Sequence, residues 1–284
     1  MSKSWKKPNM DKFGVLILCH GRPNYNKTLE TLLRSGYSGK WYVIMDNLDT
    51  RLDDYIRRYG NDHTFVFNKS WVALESDAMN NFGDRRATLF ARNICFDVAK
   101  ELGYEYFVEL DDDYYYFGHR GEHGAKKTRN LDYIFKVFVE FLYNTPCKSI
   151  AFSQGGDHIG GWRYDILCKR KSMNSFFCLT NRPFKFYGVM NDDVNCYLIN
   201  GKKGDIFLTY MAFQLDQSDT QSISGGMSET YKDFGTYTKS FTSVCGSPSC
   251  VSIKLMGGGR AMRLHHSIDW SHSVPMIIPE TLKK

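Results

Sequence analysis

No stretch of the 284 residues reaches the run of about 18 consecutive apolar side chains that a membrane-spanning helix needs. The charged opening MSKSWKKPNMDKF leads into an apolar run too short and too poorly flanked for a secretory signal. A cytoplasmic protein with no membrane partner is therefore expected. Internal repeats, low-complexity tracts and linkers are also missing, so the chain reads as one continuous domain. The eight cysteines are scattered, mostly beside apolar residues, and form no disulfide framework; buried free thiols are expected. Only Cys245 and Cys250 have a spacing that allows zinc, with His265 or His266, and nothing else in the sequence completes a four-ligand set. Net charge is low at +6, which suits a polyanion or an anionic substrate without singling either out.

What the chain does have is aromatic and apolar surface: 18 Tyr and 20 Phe, enough for a large core and for flat faces on which rings can stack. Its first half alternates short apolar runs with helical spacing. FGVLILCHG (13–21), KWYVIMD (40–46), HTFVFN (63–68) and YEYFVEL (104–110) read as buried strands. NKTLETLLRSGY (26–37), LDDYIRRYG (52–60) and GDRRATLFARNICFDVAKELG (83–103) read as helices. In the last, Ala87, Ala91, Ile94, Val98 and Leu102 make one apolar stripe, with Asp84 as the expected cap. Such alternation predicts an α/β fold, a mostly parallel sheet flanked by helices. A helix over 131–144 and a strand over 148–156 follow, and the region 160–250 reads as many short strands, a more β-rich second half.

Ligands of parallel sheets bind beyond the carboxyl ends of the strands. That rim receives CHGRPN, DNLD and the triplet Asp111, Asp112, Asp113. A strand-end Asp-x-Asp can hold a hard divalent cation while a diphosphate supplies further oxygens; a solvated acidic turn is the competing reading, and the rim position favours the metal. Arg85 and Arg92, seven residues apart, share one helix face, as do Arg86 and Asn93, and the pattern suits a phosphate or a carboxylate. Asp192 or Asp193 can serve as a general base for an acceptor hydroxyl, or simply cap the helix that follows. His265 and His266 can ligate a metal or touch phosphate, though spacing alone fits a hydrogen-bonded surface pair.

The order of these motifs resembles the GT-A class of nucleotide-sugar glycosyltransferases. They are an apolar strand with a small polar loop, an acidic second strand end, ARN on a helix, the aspartate cluster, a later DD before a helix and a C-terminal His. The resemblance implies a GT-A-like, Rossmann-like fold over 1–284, with residues 1–117 as the nucleotide-binding half and 118–284 as the acceptor-binding half. It implies a UDP-sugar donor and a divalent metal, Mn2+ or Mg2+. It places Cys19, Gly21, Arg22, Asp46, Asp49, Arg92, Asp111 and Asp112 around the nucleotide sugar. Asp113 and Asp111, with His265 or His266, would hold the metal, and Asp193 or Asp192 would serve the acceptor. Many relatives have Glu-Asp where this chain has NDD, which leaves the choice within that pair open.

Within this class the chain is most similar to phage enzymes that glycosylate DNA bases, the TET-associated glycosyltransferases and the arabinosyl transferases acting on 5-hydroxymethylcytosine. That resemblance implies hydroxymethylated DNA as partner, and glucose or a pentose such as arabinose as the sugar. Arg120, Lys126, Lys127, Arg129, Lys169, Arg170 and Lys171 would neutralise phosphates, with Tyr115 and Trp162 available for stacking. The same residues also fit a glycan acceptor, a nucleotidyltransferase, or a non-catalytic nucleic-acid-binding module.

Overall fold

The computed structural model describes residues 5–80, 86–163, 167–217, 228–235, 237–257 and 262–273. The first half follows the expected alternation: β1 (Phe13–Leu18), α1 (Lys27–Arg34), β2 (Lys40–Asp46), α2 (Leu52–Tyr59), β3 (Thr64–Phe67), a short α3 (Lys69–Leu74), α4 (Leu89–Glu101) and β4 (Tyr106–Asp111). The second half holds β5 (Tyr114–Gly121), β6 (Gly124–Lys127), α5 (Leu131–Asn144), β7 (Ser149–Gln154), a two-residue β8 (Cys168–Lys169), β9 (Ser175–Leu179), α6 (Asp192–Lys202) and the long β10 (Phe207–Gln217). After them come α7 (Ser228–Phe234), α8 (Thr238–Gly246), β11 (Val251–Met256) and β12 (Arg263–Ile268). The region 160–250 is thus less strand-like than its sequence suggests, because three helices lie within it.

Ten strands form one sheet in the order β3-β2-β1-β4-β9-β7-β10-β5-β6, with β8 beside β10; β11 and β12 make a separate hairpin. Strands β1 to β4 pair in parallel, and β7 and β10 run parallel to each other. The antiparallel strand β9 joins these two groups. Every residue of β1 is buried, as a central strand covered on both faces must be. One face packs on α5 through a cluster of rings in which Phe152 lies 4.7 Å from Phe138 and 5.2 Å from Phe177. The other face packs on α4 and α6.

Helix α4 begins later than the sequence suggests, at Leu89 after Thr88; Asp84 and Arg85 lie outside the described residues. Its solvated polar side is confined to the C-terminal half, at Asp97, Lys100 and Glu101. Leu89, Phe90, Cys95, Phe96, Val98 and Ala99 are buried along with Arg92 and Asn93, while Ala87, Ala91, Ile94 and Leu102 are only partly covered. The expected stripe is therefore the margin of the buried surface rather than its centre. Asn93 ties the helix to the chain beyond β9: its carboxamide accepts from the Phe186 N–H at 2.8 Å and donates to the Phe186 carbonyl at 3.2 Å.

Candidate active site

The carboxyl ends of β1, β2, β4, β7 and β10 share one rim. Helix α1 fixes the acidic turn there. The Thr28 hydroxyl donates to the Asp111 carbonyl (2.5 Å) and accepts from the Tyr114 N–H (2.9 Å), while the Thr28 N–H donates to the Asp112 carbonyl (3.2 Å). The turn made by Asp112 and Asp113 between β4 and β5 then separates the three side chains. Asp112 is buried, and one of its oxygens accepts from the Arg22 guanidinium at 2.5 Å. Burial pushes its carboxyl up to about 8 despite that partner. Its side chain thus braces the loop after β1. Asp111 and Asp113 remain partly exposed.

Asp111 is held by Arg92 at 3.0 and 3.2 Å and by the Tyr114 hydroxyl at 3.2 Å. Asp113 has no ion pair among the described residues. Burial and the neighbouring Asp111 raise its carboxyl to about 7, against a weaker pull from Arg22 and its own backbone N–H. Two close carboxylates, one without an ion-pair partner, are a site of unbalanced negative charge, and a hard divalent ion fits it. Among the described residues no group of three or more His, Cys, Asp or Glu side chains gathers into a ready metal site. The histidines lie elsewhere, at the start of α6: the Asn191 carboxamide contacts His266 Nδ1 at 3.2 Å, and His265 Nδ1 contacts the His266 carbonyl at 2.8 Å. Burial and the charges of His265, Lys239 and Lys171 lower His266 to about 4, so it is a neutral imidazole at neutral pH. Of the expected metal ligands, the structure brings together Asp111 and Asp113 and leaves both histidines apart. Cys245 is exposed and Cys250 is buried, and among the described residues no third ligand gathers with them.

Arg92 occupies the middle of the network rather than the nucleotide surface that its motif suggests. It is 3% exposed and reaches Glu109 at 2.5 Å, Asp111 at 3.0 Å and Asp192 at 2.9 Å, with its guanidinium near the rings of Phe176 (5.4 Å) and Phe186 (5.6 Å). One cation cannot balance three carboxylates in such a place. Burial raises Glu109 to about 8, leaving it largely protonated at neutral pH. Glu109 went unnoticed in the sequence; its signal was an acidic residue inside the apolar strand YFVEL.

Arg92 separates the two acids of NDD. Asp192 is committed, accepting from Arg92 and from the Thr88 hydroxyl at 3.1 Å. Asp193 accepts only from the Val194 N–H at 2.8 Å, which leaves Oδ2 without a partner among the described residues. Burial and the adjacent Asp192 raise it to about 6, the range of a base that works near neutral pH. Asn191, with φ of 52° in the left-handed region, turns the chain so that both acids open the first turn of α6.

The loop after β1 is internally braced. Asp46 takes His20 at 3.0 Å and Lys69 at 3.1 Å, and Asp49 accepts from the Gly21 N–H at 2.6 Å. The Arg22 N–H donates to the buried Tyr55 hydroxyl at 2.9 Å. Gly21, with φ of 69°, permits that bend. Cys19, Asp46 and Asp49 are buried, so they shape the loop, and the half-exposed His20, not singled out within CHGRPN, is a side chain it presents.

The residues expected at DNA divide. Lys126, Lys127 and Arg129 are exposed along the β6 edge, and Tyr115 is 49% exposed. Lys169 and Lys171 are both engaged with Asp157, which lowers that carboxyl against the effect of burial, and Arg170 is half-buried beside them. Arg120 turns inward to Gln214 at 3.3 Å, and Trp162 stacks on His158 at 6.1 Å.

No curated protein sequence matches the chain. Several solved structures resemble it at low identity. Glucosyl-3-phosphoglycerate synthase from Mycobacterium tuberculosis, in complex with Mg2+ and UDP, shares 10% identity over 90% of this chain and 87% of its own, with a TM-score of 0.47. S. aureus TarS 1-349 shares 11% identity over 83% of this chain and 65% of its own, with a TM-score of 0.44. Sequence gives the family directly. The model of the TET-Associated Glycosyltransferase family matches residues 13–226, from β1 through β10, and this chain is a glycosyltransferase belonging to that family.

Proposed function

We propose that the protein transfers a sugar from a UDP-sugar to the hydroxymethyl group of 5-hydroxymethylcytosine in DNA, with the help of a divalent metal ion. The observation that carries this reading is the pair of uncommitted carboxylates at one rim. Among the described residues Asp113 has no ion-pair partner and Asp193 keeps a free oxygen, and Arg92 links their neighbours Asp111 and Asp192. Asp111 and Asp113 would hold the metal, which when bound neutralises the charge that develops on the departing diphosphate. The braced loop from Cys19 to Asn24 would receive the nucleoside. Asp193 takes the proton of the acceptor hydroxyl as its oxygen bonds to the anomeric carbon. The bond from that carbon to the diphosphate breaks, and its electron pair leaves with UDP. Asp192 and Arg92 hold Asp193 in place.

The exposed basic edge of β6, with Lys126, Lys127 and Arg129, supports a polyanionic acceptor. Mass spectrometry of nucleosides from hydroxymethylated DNA, after incubation with a panel of nucleotide sugars and Mn2+, tests the reading. A glycosylated hydroxymethylcytidine is expected. Unchanged nucleosides with every donor, alongside sugar transfer to a glycan, would replace the DNA acceptor with a carbohydrate one.

A further inference from the structure

The sheet face that carries Asp111 changes character along its width. Over β1, β4 and β9 it is apolar and covered by α4 and α6. Over β7, β10 and β5 it turns polar. Phe213, Leu215 and Phe117 point to the opposite, α5-packed face, so their neighbours Gln214, Asp216 and Tyr116 lie on this one. Gln214 is 4% exposed. A sheet face this buried is normally filled by apolar side chains, so a polar one needs a reason.

The hydrogen bonds there stop short of completion. Arg120 donates to Gln214 Oε1 at 3.3 Å, and Gln214 Nε2 donates to Asp216 Oδ1 at 2.7 Å. This relay fixes the Asp216 carboxylate and leaves its Oδ2 without a partner among the described residues. Beside it, Arg120 Nε and the Tyr116 hydroxyl are buried with no hydrogen-bond partner. Leaving one such group unmet costs on the order of 1–3 kcal/mol, and two beside one carboxylate point to a ligand that completes them. Gly118 has the same rationale. A Cβ there would collide with the Tyr116 hydroxyl and the Lys126 carbonyl, so only glycine lets that phenol lie across the strand.

The pocket stands near the place of transfer. Asp216 is in register with Tyr116, and Tyr116 is three residues beyond Asp113, roughly 10 Å along an extended chain. That gap is about the width of a sugar ring and a hydroxymethyl group. The free groups comprise one acceptor, Asp216 Oδ2, and one donor, Arg120 Nε. Cytosine offers the complement on its pairing edge, an exocyclic amino donor beside two acceptors, N3 and O2. A uracil-type base offers a carbonyl where cytosine has the amino group, and two oxygens would then face each other.

Building on the DNA-base reading above, we propose that Asp216, with Arg120, reads the pairing edge of an extruded hydroxymethylcytosine and rejects hydroxymethyluracil. The Tyr116 ring forms one wall of the pocket. The test compares two single-strand oligonucleotides differing only in one target base, 5-hydroxymethylcytosine or 5-hydroxymethyluracil, as acceptors for the wild type, Asp216→Asn and Arg120→Met. The readout is the ratio of kcat/KM for the two bases, which does not depend on how much of a variant is folded. Wild type should favour the cytosine about 10- to 100-fold. Asp216→Asn, whose amide can donate, should collapse or invert that ratio. Arg120→Met should raise KM for the cytosine substrate more than it lowers kcat. An unchanged ratio in Asp216→Asn, as a pocket filled only by ordered water would give, overturns the assignment while leaving the DNA acceptor standing. Absence of transfer to either base by the wild type overturns the DNA acceptor and the pocket's ligand together.

Discussion

At the residue scale, equal letters in the sequence take unequal roles. Asp111, Asp112 and Asp113 are chemically identical, yet the turn between β4 and β5 sends the middle one inward to Arg22 and leaves its neighbours at the rim. The spacing made the outer pair legible; the salt bridge from a loop 90 residues away was not. Replacing Asp113 with Ala should lower transfer by at least about 100-fold, and excess chelator should do the same to the wild type. Activity that persists in chelator would remove the metal from the scheme. In the Asp192–Asp193 pair, only the tertiary partner Arg92 marks which acid is committed. Because burial holds Asp193 at about 6, transfer should rise with pH through that point and level off above it. Asp193→Asn should cost about 100-fold or more in kcat and erase that limb. Stability follows the opposite sign. A carboxyl raised in the folded state contributes fully below its ordinary value of 3.8 and loses that contribution as pH rises through about 6. Melting curves should therefore show Asp193→Asn melting above wild type at about pH 8, with the gap closing near pH 4.

At the scale of elements, α4 shows how a charged residue can be structural and still serve chemistry. Its sequence reads as a helix with one apolar stripe, and the helix is there. The burial of its polar pair Arg92 and Asn93 comes from packing between the sheet and the segments around Phe186, which a local pattern does not reveal. Arg92 is the clearest consequence. Replacing it with Met would leave Asp192 and Asp111 buried or half-buried without their cation, and removing one partner of such a group costs about 3–5 kcal/mol. Urea titration should show that loss. Arg92→Lys should recover only part of it, since an ammonium cannot reach three carboxylates with the geometry of a guanidinium. Little change in either variant would mean that the network is relieved by protonation of the acids alone.

At the scale of the whole molecule, net charge is a poor guide to the acceptor surface. Lys169, Lys171 and Arg120 are drawn into internal pairs, while Lys126, Lys127 and Arg129 remain available at one edge of the sheet. Neutralising these last three should weaken duplex binding at low salt. The slope of log affinity against log salt should fall by up to about one for each DNA phosphate that no longer meets a cation. An unchanged slope, measured by fluorescence anisotropy, would move the DNA path elsewhere. The sequence by itself determined the alternating strands and helices, the rim that collects their loops, and the acidic turn at the end of β4. Those features follow from local periodicity and the direction of parallel strands, both written along the chain. Only the tertiary structure decided that Arg92 lies behind the site, that Asp193 is the acid left free, that both histidines stand apart from Asp113, and that the far half of the sheet carries a polar face. Each of these depends on partners tens of residues distant, whose burial sets which charges are balanced and which stay available to a ligand.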